Sequence, residues 1–186
     1  MVENIQVSIR IRAKLLDEES NTPNMWKTEG NNIINMKSKD IFSYDRVFTS
    51  ECQNIDIFNE TIKGNLNKIF KGINLSIFAY GQTCTGKTYT MRGLDYSPGI
   101  IPLTLNYLFM KISESHLNSN LNNNDENLHI MSKDLKVKEM KVSYLEIYNE
   151  SVNDLLDTSK KNLEIREGKK GIFVENLTEI RVDTPG

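Results

Sequence analysis

IFAYGQTCTGKTYTM, residues 77–91, is the stretch on which the reading of this chain turns. Gly81 to Thr88 fit the pattern G-x-x-x-x-G-K-[ST], which arises by chance in a chain this long on the order of 1% of the time. The spacing has a physical reason. Glycines at 81 and 86 let the backbone wrap without side-chain clash. The N–H groups from Thr83 to Thr88 can then converge on phosphate oxygens at the start of a helix. Lys87 supplies a cation for the β- and γ-phosphates, and the Thr88 hydroxyl is a suitable Mg²⁺ ligand. The bland alternative is a Gly-rich turn that happens to contain a lysine. The context argues against it, because an apolar strand precedes the loop and a helix follows.

Working outward, LSIFAY (75–80) is apolar at nearly every position and reads as a strand buried on both faces of a sheet. Upstream of it, Ser50 and Gln53 have capping-box spacing. Ile55, Phe58, Ile62, Leu66 and Ile69 then form one helical stripe that Gly72 is placed to end. At the N-terminus NIQVSIRIRA (4–13) alternates, with Ile5, Val7, Ile9 and Ile11 on one face. Residues 15–30 read as a polar loop and 31–48 as a weaker strand pair. Downstream, Pro102 suits the first turn of a helix whose Leu105, Leu108, Phe109 and Ile112 share a face.

Residues 118–127 contain six Asn in ten positions and read as the centre of a disordered insertion spanning about 113–128. Strand character returns over 135–148, a short helix is expected at 150–156, and 163–182 reads as a β-hairpin around Gly168–Gly171. Strands alternating with helices imply an α/β sheet.

Composition narrows the classes further. The 186 residues are 38% hydrophobic and 26% charged, with 23 Lys plus Arg against 25 Asp plus Glu. A formal charge of -2 gives no global nucleic-acid signature. Cys52 and Cys84 form no C-x-x-C pair, so a reducing compartment fits better than a disulfide framework. No apolar run approaches the ~18 residues of a membrane span. Neither nucleic acid nor membrane is an expected partner, and His116 and His129 receive no role.

Beyond the loop, the flanking segments resemble the kinesin motor domain almost position for position. They are VSIRIR (7–12), FSYDRVF (42–48), IFAYGQTCTGKTYTM (77–91), GIIP (99–102) and VSYLEIYNESVNDLL (142–156). WKTEGNNII (26–34) and LEIREGKKGIFVENLTEI (163–180) look most like the centromere-associated kinesin-7 group.

The resemblance implies a P-loop NTPase-type α/β fold, a central mixed β-sheet flanked by helices. It implies the N-terminal half of that domain, covering 1–186. It also implies ATP and Mg²⁺ as cofactors, a microtubule as partner, and a place on the cytoplasmic microtubule cytoskeleton. Arg10 and Arg12 match an R-x-R-P element that flanks the adenine, although Ala13 stands where Pro is usual. Tyr89 matches the position that stacks on the base, whereas Tyr80 is expected to pack.

The nucleotide-binding set is thus Gly81, Gln82, Thr83, Cys84, Thr85, Gly86, Lys87, Thr88, Tyr89, Arg10 and Arg12, with Thr88 toward the metal. Lys160–Gly171 carries a local +3 and resembles a strand–loop element that touches tubulin.

The family's two switch segments, N-x-x-S-S-R and D-x-x-G, are expected downstream of the final hairpin, as are the neck and dimerisation segments. With no N-K-x-D motif present, ATP is favoured over GTP. Without strands from the second half of the domain, LSIFAY is expected to show open edges and partly exposed faces. Three readings remain: a microtubule-stimulated motor ATPase, a truncated non-catalytic nucleotide-binding remnant, and an unrelated P-loop kinase or GTPase.

Overall fold

The computed structural model describes residues 5–13, 25–120, 139–169 and 171–184, with the side chains of 115–120 left aside. The described residues form two compact units, 1–121 and 122–186.

In the first unit, β1 (Ser8–Arg10) is followed by the meander β2 (Trp26–Glu29), β3 (Asn32–Asn35) and β4 (Ile41–Ser43). β5 (Arg46–Phe48) then pairs in parallel with β1, Ile9 opposite Val47. The region expected to be a polar loop therefore contains a strand. Trp26 earns its place there by packing its ring against Phe42 on β4, with centroids 6.2 Å apart. On β1 the alternation holds only in part. Ile9 and Ile11 are half-buried, but Ile5 and Val7 are exposed.

The helix after β5 starts at Asn54, not near Ser50. Asp56 accepts a hydrogen bond from the Gln53 backbone N–H at 2.9 Å, so the capping carboxylate sits three residues later than expected. It runs as α1 (Asn54–Ile57), a π-helical stretch (Phe58–Ile62) and α2 (Lys63–Leu66). The π turn rotates the apolar stripe. Ile57 joins Phe58, Ile62 and Leu66 in the core, while Ile55 and Ile69 at the two ends of the expected stripe are exposed.

Gly72 ends the segment as expected. It is left-handed at φ 78°, its N–H bonds to the Ile69 carbonyl, and the Ile73 N–H reaches the Lys68 carbonyl.

Residues 73–80 form neither helix nor strand, so the strand expected at LSIFAY is not found among the described residues. Leu75 and Ile77 pack on the core, whereas Phe78 is 87% exposed and Tyr80 fully so. The expectation of burial on both faces is thus overturned. Tyr80, expected to pack, points into solvent.

The loop 81–86 leads into α3 (Lys87–Met91), then a small hairpin of β6 (Gly93–Leu94) and β7 (Ser97–Pro98). α4 (Ile100–Asn120) follows and carries Pro102 in its first turn. Ile100, Leu103, Tyr107 and Leu108 face the core, and Tyr107 meets Phe58 edge-on at 6.3 Å. Leu105, Phe109 and Ile112 are half-buried. α4 extends into the stretch 113–128 that was expected to be an insertion; the part beyond 120 lies outside the described residues.

The second unit contains β8 (Met140–Val142), β9 (Leu145–Tyr148), β10 (Ser151–Asp154), β11 (Ile165–Gly168), β12 (Gly171–Val174) and β13 (Ile180–Val182). The helix expected at 150–156 is instead strand β10. Asn149 and Glu150 both take positive φ, 47° and 64°, the geometry of a two-residue hairpin turn. β10 therefore folds back on β9, Ser151 opposite Tyr148, and buries Val152 and Asp154 on alternate positions. β11 and β12 form the expected hairpin with Gly168 opposite Gly171, and β13 pairs with β8.

Asp154 is 1% exposed and anchors this unit. Burial alone would raise its pKa, but hydrogen bonds from Thr178, Asp157 and Leu156 outweigh it and hold the carboxyl far below the usual range. The Thr178 N–H reaches Oδ2 at 2.7 Å.

Candidate nucleotide site

The loop from Gly81 to Gly86 bends through alternating backbone hands. Cys84 is left-handed at φ 64° and Gly86 at φ 95°. Such alternation turns successive N–H groups toward a common concave side, the shape that receives anions. Gly81 is required by close approach, because a Cβ there would stand 2.6 Å from Thr85 Oγ1. Thr85 uses that hydroxyl to donate to the Gln82 carbonyl at 2.8 Å, which tightens the turn.

Lys87, the first residue of α3, folds back across the loop. Its ammonium donates to the carbonyls of Gly81 at 2.9 Å and Gln82 at 2.7 Å. The first helical bond visible in α3 runs from the Thr90 N–H to the Gly86 carbonyl, so the N–H groups of Lys87, Thr88 and Tyr89 precede any such acceptor. Gln82, Thr83, Cys84 and Thr88 are exposed around this turn. A cation, free first-turn donors and glycines at the tight points make the loop fit a polyphosphate. Thr88 offers the kind of hydroxyl oxygen that Mg²⁺ takes beside phosphate oxygens. Among the described residues, no cluster of His, Cys, Asp or Glu forms a separate metal site.

Arg10 and Tyr89 are brought together although they are far apart in sequence. The guanidinium lies over the Tyr89 ring, 4.8 Å from its centroid, within cation–π range. Arg10 Nη1 also donates to Thr90 Oγ1 at 2.8 Å and to Asn54 Oδ1, and Nη2 donates to the Cys52 carbonyl at 3.1 Å. Asn54 completes the junction by donating Nδ2–H to the Tyr89 carbonyl at 3.1 Å. Arg12 is half-buried just after β1, and Ala13 is exposed.

Tyr89 also borders a cavity of about 280 Å³ lined by Gln53, Ile55, Tyr96, Ser97 and Pro98. Asn54, Thr90 and the cavity residues were not among the sequence-derived candidates. Nothing local in the sequence marks Asn54 as a partner of Arg10.

The two thiols differ. Cys84 is exposed on the loop, while Cys52 is half-buried. Burial first, then the Asp56 carboxylate beside it, push the Cys52 thiol up in pKa.

In the second unit, part of the basic stretch 160–171 is neutralised by its neighbours. Arg166 pairs with Glu164 at 2.9 Å and with Glu175 at 2.7 Å, and Lys160 pairs with Asp157 at 3.8 Å and Thr178 at 2.9 Å. The expected +3 is diluted because Glu175 and Asp157 lie outside the segment that was counted. The last four residues, Asp183 to Gly186, spell D-x-x-G, a pattern expected only further downstream. The Asp183 carboxylate there accepts from Arg181 Nε at 3.1 Å.

A buried-cored α/β unit with a Gly-rich loop opening a helix at Lys87 places the chain in the P-loop class of folds. Comparison then fixes the family: the kinesin motor domain matches residues 6–186, and the chain belongs to that family. It is 37% identical over 99% of its length to Kinesin-like protein KIN-7I of Oryza sativa subsp. japonica, spanning 14% of that protein. It is 39% identical over 97% of its length to Kinesin-related protein 4 of Dictyostelium discoideum, spanning 9% of it.

The fold agrees with a solved structure described as that of a fast kinesin, at TM-score 0.78 and 30% identity. That match covers 97% of this chain and 49% of the other. Several KIN-7 proteins from Arabidopsis thaliana and Oryza sativa are among the relatives, in line with the kinesin-7 resemblance.

Proposed function

We propose that this chain is the ATP-binding part of a microtubule motor that couples ATP hydrolysis to movement. The observation that carries the reading is the loop 81–88, with the Lys87 ammonium already across it and the Arg10–Tyr89 pair beside it. In this reading Gly81 to Thr88 hold the triphosphate by main-chain N–H groups, Lys87 neutralises charge on the β- and γ-phosphates, and Thr88 is the residue that would hold an accompanying Mg²⁺ ion. The base stacks on Tyr89 while Arg10 and Arg12 border it. A Mg²⁺ ion, when bound, would supply charge shielding; the chain's own part is to orient the triphosphate.

The microtubule partner rests on family membership, with Lys161 and Lys169, among the described residues of the 160–171 stretch, outside the ion pairs described above. Ordinary contact of such a hairpin with an acidic surface is weak and salt-sensitive. Cytoplasmic microtubules are the corresponding location.

The alternative is a non-catalytic nucleotide-binding remnant. ATP turnover measured with and without microtubules separates the two. Stimulated turnover supports the motor; saturable ATP binding without turnover supports the remnant. Absence of both binding and turnover contradicts each.

A further inference from the structure

We propose that Asn54 is a positioning residue for the base side of the nucleotide site, an inference that rests on the reading of Arg10 and Tyr89 given above. Asn54 is 1% exposed, so its amide must find partners inside the protein. It finds two, and both belong to the base-side pair. Its oxygen accepts from Arg10, 44 residues earlier, and its nitrogen donates to the Tyr89 carbonyl, 35 residues later. One side chain therefore ties β1 to the first turn of α3 through the start of α1.

The consequence concerns orientation. A guanidinium over an aromatic ring is a weakly directional contact when the cation is held by nothing else. Here Arg10 is held at three points: Asn54, Thr90 Oγ1 and the Cys52 carbonyl. Those bonds fix the plane that covers the Tyr89 ring. Asn54 also grips the backbone of Tyr89 itself, and the phenol oxygen lies 3.4 Å from Ser97 Oγ. The stacking ring is thus located from its carbonyl, its face and its hydroxyl.

The phosphate loop is not part of this junction. Its own internal bonds run from Lys87 to Gly81 and Gln82 and from Thr85 to Gln82, and none involves Asn54. Loss of Asn54 should therefore loosen the base contact and leave the phosphate contact in place.

The test compares the affinity of Mg·ATP with that of inorganic triphosphate, which has no base, on the intact protein. Asn54→Leu is of similar size and removes both hydrogen bonds. It should weaken ATP roughly tenfold while inorganic triphosphate stays within about twofold, less than the two lost bonds contribute to the fold because neither touches the ligand. Asn54→Asp keeps the acceptor for Arg10 and loses the donor to Tyr89, so it should recover part of the ATP affinity.

Thr90→Val removes another Arg10 anchor with little change in volume. It should show the same selective loss, and it decides the matter in the same terms should Asn54→Leu not fold. Folded variants that bind ATP as tightly as the unmodified protein, or that lose ATP and triphosphate equally, would overturn the proposal. An unmodified protein that binds neither ligand would remove the nucleotide reading itself, and this inference with it.

Discussion

Replacing Lys87 by alanine separates what the lysine does for the fold from what it does for a ligand. In the structure its ammonium is engaged by two carbonyls, at 2.9 Å and 2.7 Å, on a partly exposed loop. Each such contact contributes about 1 kcal/mol net at most, and less where water competes. Loss of the side chain should therefore change global stability by about 2 kcal/mol at most, the sum of its two contacts. Against a phosphate the balance differs. Opposite unit charges 4 Å apart interact by about 4 kcal/mol at an effective dielectric of 20. The lysine must first surrender its two carbonyls, which offsets about half of that gain. About 2 kcal/mol remains, or roughly thirtyfold in affinity.

Titration calorimetry with Mg·ATP on both proteins reads the affinity, and urea unfolding reads the stability. A Lys87→Ala protein of normal stability that binds ATP as well as the unmodified chain would refute the assignment of this lysine to the phosphates. A large loss of stability would refute the view that its present contacts are minor.

Other outcomes follow from single features. Leu66 is wholly buried at the centre of the first unit, so Leu66→Ala should cost about 2–5 kcal/mol in chemical denaturation. Cys84 is exposed on the loop and Cys52 is half-buried beside Asp56, so iodoacetamide should modify Cys84 first, and Mg·ATP should shield Cys84 alone. Mass spectrometry of the two peptides checks this; equal labelling unaffected by nucleotide is the contrary result.

Asp154 is held ionised by hydrogen bonds, so its folded pKa lies below the unfolded value near 3.9. Its stabilisation is complete above that pH and is lost as pH falls through and below it. Urea midpoints between pH 6 and pH 2.5 should drop at the acid end, and Asp154→Asn should flatten that drop while lowering the midpoint near neutrality.

The sequence made some parts of this molecule readable because their chemistry is local. Gly81 and Gly86 are dictated by how a backbone must bend and Lys87 by the charge a phosphate carries, requirements that survive without knowledge of the rest of the chain. Gly72 as a helix stop and Gly168–Gly171 as a hairpin tip are of the same kind. Residues 150–156 were misread because ESVNDLL has helical spacing, and the left-handed pair Asn149–Glu150 carries no glycine to announce a two-residue turn.

The π turn at Phe58–Ile62 shifted a stripe that regular periodicity placed elsewhere. LSIFAY reads as doubly buried from its apolar composition, whereas Leu75 and Ile77 pack on the core and Phe78 and Tyr80 are exposed. In the site, Arg10 and Tyr89 were identified by resemblance. Their junction through Asn54 was not, since it joins residues up to 80 positions apart by side-chain bonds that leave no pattern in the sequence.

The central claim is that the turn around Lys87 receives a nucleoside triphosphate. Equilibrium titration of the unmodified protein with Mg·ATP, run beside Mg·GTP and inorganic triphosphate, tests it most directly. One saturable site for ATP, tighter than for GTP or for triphosphate alone, is the predicted result. No saturable binding of any of the three by folded protein would contradict it.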